Sequence, residues 1–145
     1  ASIRALFRCR ELVRLRVGQG TFQPLVTPIA RAPLIQEFRP RLFVKADRPS
    51  MQLMARVVFP RNIDRGSGQP ITTLLRGDIY TDVGQWQQLA IRDTSRLLEQ
   101  EARHLRTRFG SEIDSREAYV DLILLNAYSA PGTIDLSIDD LEIDG

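Results

Sequence analysis

A chain of 145 residues with 43% hydrophobic and 26% charged side chains has the composition of an ordinary globular domain and is long enough for a two-layer core. No apolar run approaches the ~18–20 residues of a membrane helix, and Arg4, Arg8 and Arg10 interrupt the start so that no signal-peptide apolar region forms. A net charge of +2, a single cysteine (Cys9) and a single histidine (His104) exclude an intrachain disulfide and a zinc site built from those ligands. The expectation is one module over 1–145, which can itself be a fragment of a larger polypeptide.

In chain order, Glu11 to Val17 alternates in the period-2 manner of a strand, with Val13, Leu15 and Val17 on one face and Leu12, Arg14 and Arg16 on the other. Gly18-Gln19-Gly20 reads as a turn, and Thr21 to Ile29 as a returning strand. Pro24 and Pro28 cannot donate to a ladder, which places that segment at a sheet edge. Leu34 to Phe38 is a short extended candidate, followed by Arg41 to Ala46. After a turn at Asp47-Arg48-Pro49-Ser50 comes a long strand, Met51 to Phe59, which Pro60 is expected to end. Ile71 to Tyr80 and Trp86 to Ile91 are the next strands. The pattern then changes: Leu97, Leu98, Ala102, Leu105 and Phe109 recur near helical spacing over Thr94 to Phe109, with Asp93 or Thr94 able to start the helix and Gly110 to end it. This reads as one amphipathic helix set across an end or flank of a sandwich. Ala118 to Tyr128 is the most apolar strand and is expected to pair with the closing strand.

That closing strand carries the sharpest local signal. Ile134, Leu136 and Ile138 alternate with polar residues, and the apolar positions then slip to Leu141 and Ile143 across Asp139-Asp140. One extra residue in a strand produces this slip, the signature of a β-bulge. About eight strands and one helix give an all-β fold class, a two-sheet antiparallel jelly-roll β-sandwich with one inserted amphipathic α-helix at about 94–109. Charge is segregated along the chain, with 13 basic and 4 acidic side chains in residues 1–65 and 7 and 14 in the remainder. Interleaving the two halves in a sandwich predicts cross-strand pairs rather than a nucleic-acid surface.

Several segments together resemble a known group: Leu42 to Pro49, Ala55 to Arg61, Leu74 to Asp78, Gly84 to Leu89, Arg116 to Asp121, Leu125 to Gly132 and Ile138 to Leu141. They are similar to the jelly-roll module of large planctomycete-type proteins that can also carry a glycoside-hydrolase-like barrel. More distantly, the Trp-Gln strand and the Asp-Asp ending resemble β-sandwich carbohydrate-binding modules. The resemblance implies a non-catalytic accessory domain, extracellular or at the cell surface, that binds polysaccharide or oligosaccharide weakly on a concave sheet and accompanies a catalytic neighbour. The competing expectation is a structural or protein-interaction module, working by self-association or docking, with no sugar binding.

Sugar recognition needs an aromatic face for the apolar side of a pyranose and planar polar groups for its hydroxyls. Tyr80 and Tyr128 stand at strand ends and are the expected surface aromatics, with Gln52, Arg56, Asp78 and Asn126 as hydrogen-bonding partners. Trp86 is expected in the core, its place in resembling modules. The bulged Asp139 and Asp140, joined by Glu11, offer oxygen ligands of the kind a structural Ca²⁺ takes; paired with arginines of the basic half, the same aspartates need no metal. No nucleophile elbow, phosphate-cradling loop or second histidine is present, so the chain is expected not to be an enzyme. Neither nucleic acid nor membrane insertion is expected.

Overall fold

The computed structural model describes residues 11–17, 24–33, 38–110, 112–127 and 132–144. Eight strands and one helix follow in the order β1 (Glu11–Val17), β2 (Pro24–Pro33), β3 (Arg39–Ala46), β4 (Gln52–Ile63), β5 (Pro70–Ile79), β6 (Gln87–Ala90), α1 (Thr94–Phe109), β7 (Tyr119–Asn126) and β8 (Gly132–Asp144). They form two four-stranded antiparallel sheets: sheet A in the order β1-β8-β3-β6, and sheet B in the order β2-β7-β4-β5. This is the jelly-roll arrangement. Among the described residues β4–β5 is the one sequence-adjacent pairing, and every other consecutive pair of strands lies in different sheets.

Two sequence expectations are corrected by this order. The β7 and β8 strands do not pair; β7 lies between β2 and β4, and β8 between β1 and β3. Their apolar character reflects a central place in each of two sheets, not mutual contact. Nor does β2 return along β1. Its edge position in sheet B, however, accommodates Pro24, Pro28 and Pro33, since one side of an edge strand needs no ladder donor. Pro60 likewise does not end β4. It falls in the stretch between Phe59 and Ile63 where the register with β5 shifts, and beyond Val58, where pairing with β7 stops, so its missing N–H interrupts no ladder bond. Residues 34–37 of the Leu34 to Phe38 candidate lie outside the described residues.

The bulge in the closing strand is where the slipped alternation places it. Arg41 pairs with Glu142 and Phe43 with Asp139, so two steps on β3 oppose three on β8. The slip keeps Ile134, Leu136, Leu141 and Ile143 all at most 3% exposed. They meet Leu42 and Val44 of β3 and, from sheet B, Leu53, Ala55, Val57, Phe59, Val120 and Leu125 in one core. Burying a side chain such as Phe59 or Leu53 contributes about 1.5–3 kcal/mol each.

The helix packs against β5, the edge strand of sheet B, and inserts Ala102 and Leu105 into the core. Thr73 Oγ1 donates to Glu101 Oε2 at 2.8 Å across that contact. Gly110 ends the helix at φ 70°, its N–H donating to Arg106 O, a backbone shape that favours glycine. At the other end Asp93 occupies the N-cap with no side-chain cap bond, while the buried Thr94 donates to Phe38 O at 3.3 Å. Between the sheets, β5 and β6 meet at Gly77: a Cβ there would lie 2.6 Å from Ala90 O. Only glycine permits that approach.

The segregated charge is resolved in space as expected. Arg14 pairs with Asp135, Arg41 with Glu142, Arg56 with Asp121, and Arg61 with Glu117, each joining the basic first part of the chain to the acidic second.

Candidate functional site on the outer face of sheet A

Alternation along β3 turns Leu42, Val44 and Ala46 inward and leaves Arg39, Arg41, Phe43 and Lys45 on the outer face of sheet A. The ladder with β6 sets Gln88 beside Phe43 and Ala90 beside Arg41. Continued one step past Val44 and Gln87, the same register brings Trp86 level with Lys45. Trp86 is half-buried and lines an open groove of about 350 Å³ with Lys45, Ala46, Asp47, Gly84, Asp135 and Ser137. A second hollow, also about 350 Å³, lies at the other end of β3, lined by Arg39, Arg41, Gln88, Ala90, Ile91, Arg92 and Asp93. Phe43 stands between the two with 38% of its surface exposed. Diagonal neighbours on a sheet face are about 7–8 Å apart, the relation of Phe43 to the Trp86 position.

The loop that carries Trp86 is held by Tyr80. This ring is fully buried, and its hydroxyl accepts from Ala46 N at 3.1 Å while lying 2.6 Å from Asp82 O and 2.7 Å from Gln85 O. With one proton it donates to one carbonyl at a time. Gln87 Oε1 accepts from the N–H groups of Thr81 and Asp82 at 2.8 and 3.1 Å, and Gly84 N donates to Ala46 O at 2.8 Å. The segment is thus tied to the end of β3 and sets Trp86 beside Lys45.

On the floor of the same groove, Asp47 N donates to Asp135 O and Asp135 N to Asp47 Oδ1, each at 3.1 Å. Arg14 grips the Asp135 carboxylate through Nε at 2.7 Å and Nη2 at 3.2 Å. That fork holds the Asp135 carboxyl below its ordinary range, so the groove keeps a negative acceptor beside the Lys45 ammonium. Lys45 forms no ion pair among the described residues.

The residues expected from sequence to bind ligand are placed mostly on sheet B and are occupied there. Gln52 and Asn126 are cross-strand neighbours; Gln52 Nε2 donates to Gly77 O at 3.1 Å, and Asn126 takes part in a further interaction of its own. Arg56 donates through Nε and Nη2 to the two oxygens of Asp121 at 2.9 and 2.6 Å. Asp78 Oδ2 accepts from Ala90 N at 3.1 Å, tying β5 to β6, and lies 3.3 Å from Arg92 Nη1. Tyr80, expected at the surface, is buried because its hydroxyl satisfies loop and strand backbone. Trp86, expected in the core, borders the groove because it shares parity with Gln88 and not with the inward Leu89 and Ile91. Tyr128 lies outside the described residues.

Of the three oxygen donors expected for Ca²⁺, Asp139 sits at the bulge opposite Phe43 and has an interaction of its own. Glu11 pairs in register with Ile138, next to Asp139, and Asp140 lies within the bulge; the side chains of Glu11 and Asp140 lie outside the described ones. Among the described residues no three His, Cys, Asp or Glu side chains cluster as a metal would need, and no helix is long and apolar enough to cross a membrane.

No protein-family model matches the chain, and no curated protein is significantly similar to it. Among solved structures it is similar to a family 30 carbohydrate-binding module, at 15% identity and a TM-score of 0.48, over 92% of this chain and 66% of that one. It is also similar to the family 30 carbohydrate-binding module of a cellulosomal cellulase of Clostridium thermocellum, at 14% identity and a TM-score of 0.47, over 91% and 73% of the two chains.

Proposed function

We infer that this domain is a non-catalytic carbohydrate-binding module whose ligand lies along the outer face of sheet A. The observation that carries this reading is Phe43. It is a large aromatic ring exposed in the middle of a strand face, flanked by the Gln88 amide and followed by a groove with Trp86, Lys45, Asp135 and Ser137. An aromatic ring presents an apolar surface to the C–H face of a pyranose, while amide, carboxylate, hydroxyl and ammonium groups beside it match the ring hydroxyls. A shallow, open face of this kind suits a few rings of an extended polymer and weak binding. The role in a whole protein is then to hold an attached catalytic domain, outside the cell or at its surface, against polysaccharide.

A glycan array followed by titration calorimetry tests the reading. Wild type should bind at least one polysaccharide, and Phe43→Ala and Trp86→Ala should each weaken binding about tenfold, the effect of losing ~1.4 kcal/mol. Absence of binding to every glycan at millimolar sugar would remove the reading.

The alternative, a structural or protein-interaction module, is favoured by Val26. It is 47% exposed on the edge strand β2, beside Leu124 in the ladder. Light scattering that reveals concentration-dependent self-association, lost in Val26→Asp, supports that use; a constant monomer mass counts against it. A structural Ca²⁺ held by Asp139, Asp140 and Glu11 belongs to the same proposal. Its test is the melting temperature, which should fall with EDTA and recover with added Ca²⁺.

A further inference from the structure

The hollow at the Arg39 end of the face differs in chemistry from the groove beside Trp86. Three arginines line it, Arg39, Arg41 and Arg92, together with Gln88. Arg41 Nη2 donates to Glu142 Oε2 at 2.9 Å, which fixes it in the floor. Arg92 Nη1 donates to Asp78 Oδ1 at 3.4 Å and lies 3.3 Å from Oδ2, which engages one nitrogen of a group with five N–H donors. Arg39 is exposed and forms no ion pair among the described residues. One carboxylate, Asp93, stands at the rim, 3.9 Å from Arg96. The N-terminal end of α1 borders the hollow through that same residue, and no side chain caps it, so the helix dipole adds to the positive potential.

Charge on the face is ordered in tracks. Arg39, Arg41 and Lys45 lie along β3, with Arg92 just after β6, whereas Asp135, Asp139, Glu142 and Asp144 belong to β8, with Asp144 in register with Arg39. A ligand running along β3 and β6 therefore meets cations at both ends and Phe43 between them. A neutral polymer in that position would cover Arg39 without giving it a counter-charge, at a desolvation cost.

We propose that the hollow formed by Arg39, Arg41, Arg92 and Gln88 takes the anionic substituent of an acidic polysaccharide, a carboxylate or a sulfate ester, with adjoining rings over Phe43 and toward Lys45 and Trp86. The proposal rests on the carbohydrate reading above and names its ligand class. Guanidinium forks suit both oxyanions, since each offers adjacent oxygens to paired N–H donors.

The test is titration calorimetry with four polymers: polygalacturonate, its carboxyl-reduced counterpart, dextran sulfate and dextran. At least one anionic polymer should bind about tenfold or more tightly than its neutral counterpart, with affinity falling as salt rises. Arg39→Ala and Arg92→Ala should each weaken that binding about three- to tenfold, and the double variant should reduce it to the level of the neutral polymer. Arg76→Ala removes the same charge from the opposite sheet and should leave affinity unchanged. Selective binding of polygalacturonate assigns the site to carboxylates, and of dextran sulfate to sulfate esters. Equal affinity for charged and neutral polymers overturns this proposal and leaves the carbohydrate reading standing. An equal loss in Arg76→Ala overturns it as diffuse polyanion attraction. Failure to bind any of the four, together with a blank glycan array, removes both. A circular-dichroism melt of each variant, expected to match wild type because Arg39, Arg92 and Arg76 are all exposed, ensures that a loss of binding is not a loss of fold.

Discussion

On the outer face of sheet B, Met54, Val58 and Leu124 are at most 5% exposed although none belongs to the main core between the sheets, and Arg56 on that face is bound to Asp121 through both carboxylate oxygens. On the outer face of sheet A, Phe43 is 38% exposed, Trp86 borders a groove, and Arg39 and Lys45 have no ionic partner among the described residues. Both faces arise from the same strand alternation. They differ in whether the outward residues satisfy one another. Where apolar groups are buried and a charge is paired, as at Met54, Val58, Leu124 and Arg56, the face gains stability and has little left to offer a ligand. A face with an open ring and unpaired cations gives up some of that gain and keeps the capacity to bind.

The most forceful way to break this contrast is to truncate each face in turn. Met54→Ala should cost about 2–4 kcal/mol in denaturant unfolding, the usual penalty for emptying a buried apolar site, with polysaccharide affinity unchanged. A loss of affinity with no loss of stability would reverse the roles assigned to the faces. Phe43→Ala should do the opposite and change stability by no more than about 0.5 kcal/mol, despite its effect on binding. If it destabilises as much as Met54→Ala, the exposed ring is a packing residue and the contrast fails.

Acid pH gives the smallest and most even effect. Arg14 holds the Asp135 carboxyl of sheet A below its ordinary range. Arg116 holds the Asp114 carboxyl, in the segment leading to β7 of sheet B, down to about 2 through side-chain and backbone hydrogen bonds. Both carboxyls take up protons less readily folded than unfolded. Their contribution is therefore fully present above about pH 4 and is lost as pH falls toward 2. Thermal melts from pH 6 to 2 should show a plateau and then a decline, and amide exchange should loosen in both sheets over the same range. A flat profile below pH 4 would show that neither fork contributes to stability.

Much of the fold was legible because alternation reports burial directly. The helix over Thr94–Phe109 and the bulge at Asp139-Asp140 both follow from where apolar residues recur, and the structure places both there. Strand partners were not legible in the same way, because alternation says which side of a strand is inward and nothing about its neighbour; the pairing of β7 with β8 failed on that point. The candidate site was harder still. Phe43 sits between Leu42 and Val44 in an apolar run, yet parity with Arg41 and Lys45 marks it as outward, as parity with Gln88 marks Trp86. Residue type alone points Trp86 to the core and Tyr80 to the surface, whereas Trp86 borders the groove and Tyr80 is fully buried. What no local pattern contains is the partner of a polar side chain: the bonds of Gln52 to Gly77 and of Arg56 to Asp121 span 25 and 65 positions along the chain.

The strand order also sets a schedule for how the chain can acquire its structure. Among the described residues β1 has β8 as its sole neighbour, and β2 has only β7. Within this domain, strands made early must therefore wait for strands made later, while the β4–β5 hairpin can close on its own. Contacts between distant parts of a chain form slowly, on millisecond-to-second scales for sandwiches of this kind. Sheet A, with the proposed binding face, can be complete only when β8 arrives between β1 and β3. Until then Phe43 and its neighbours ride on a strand paired on one side alone, with β6, and the face lacks its β8 side.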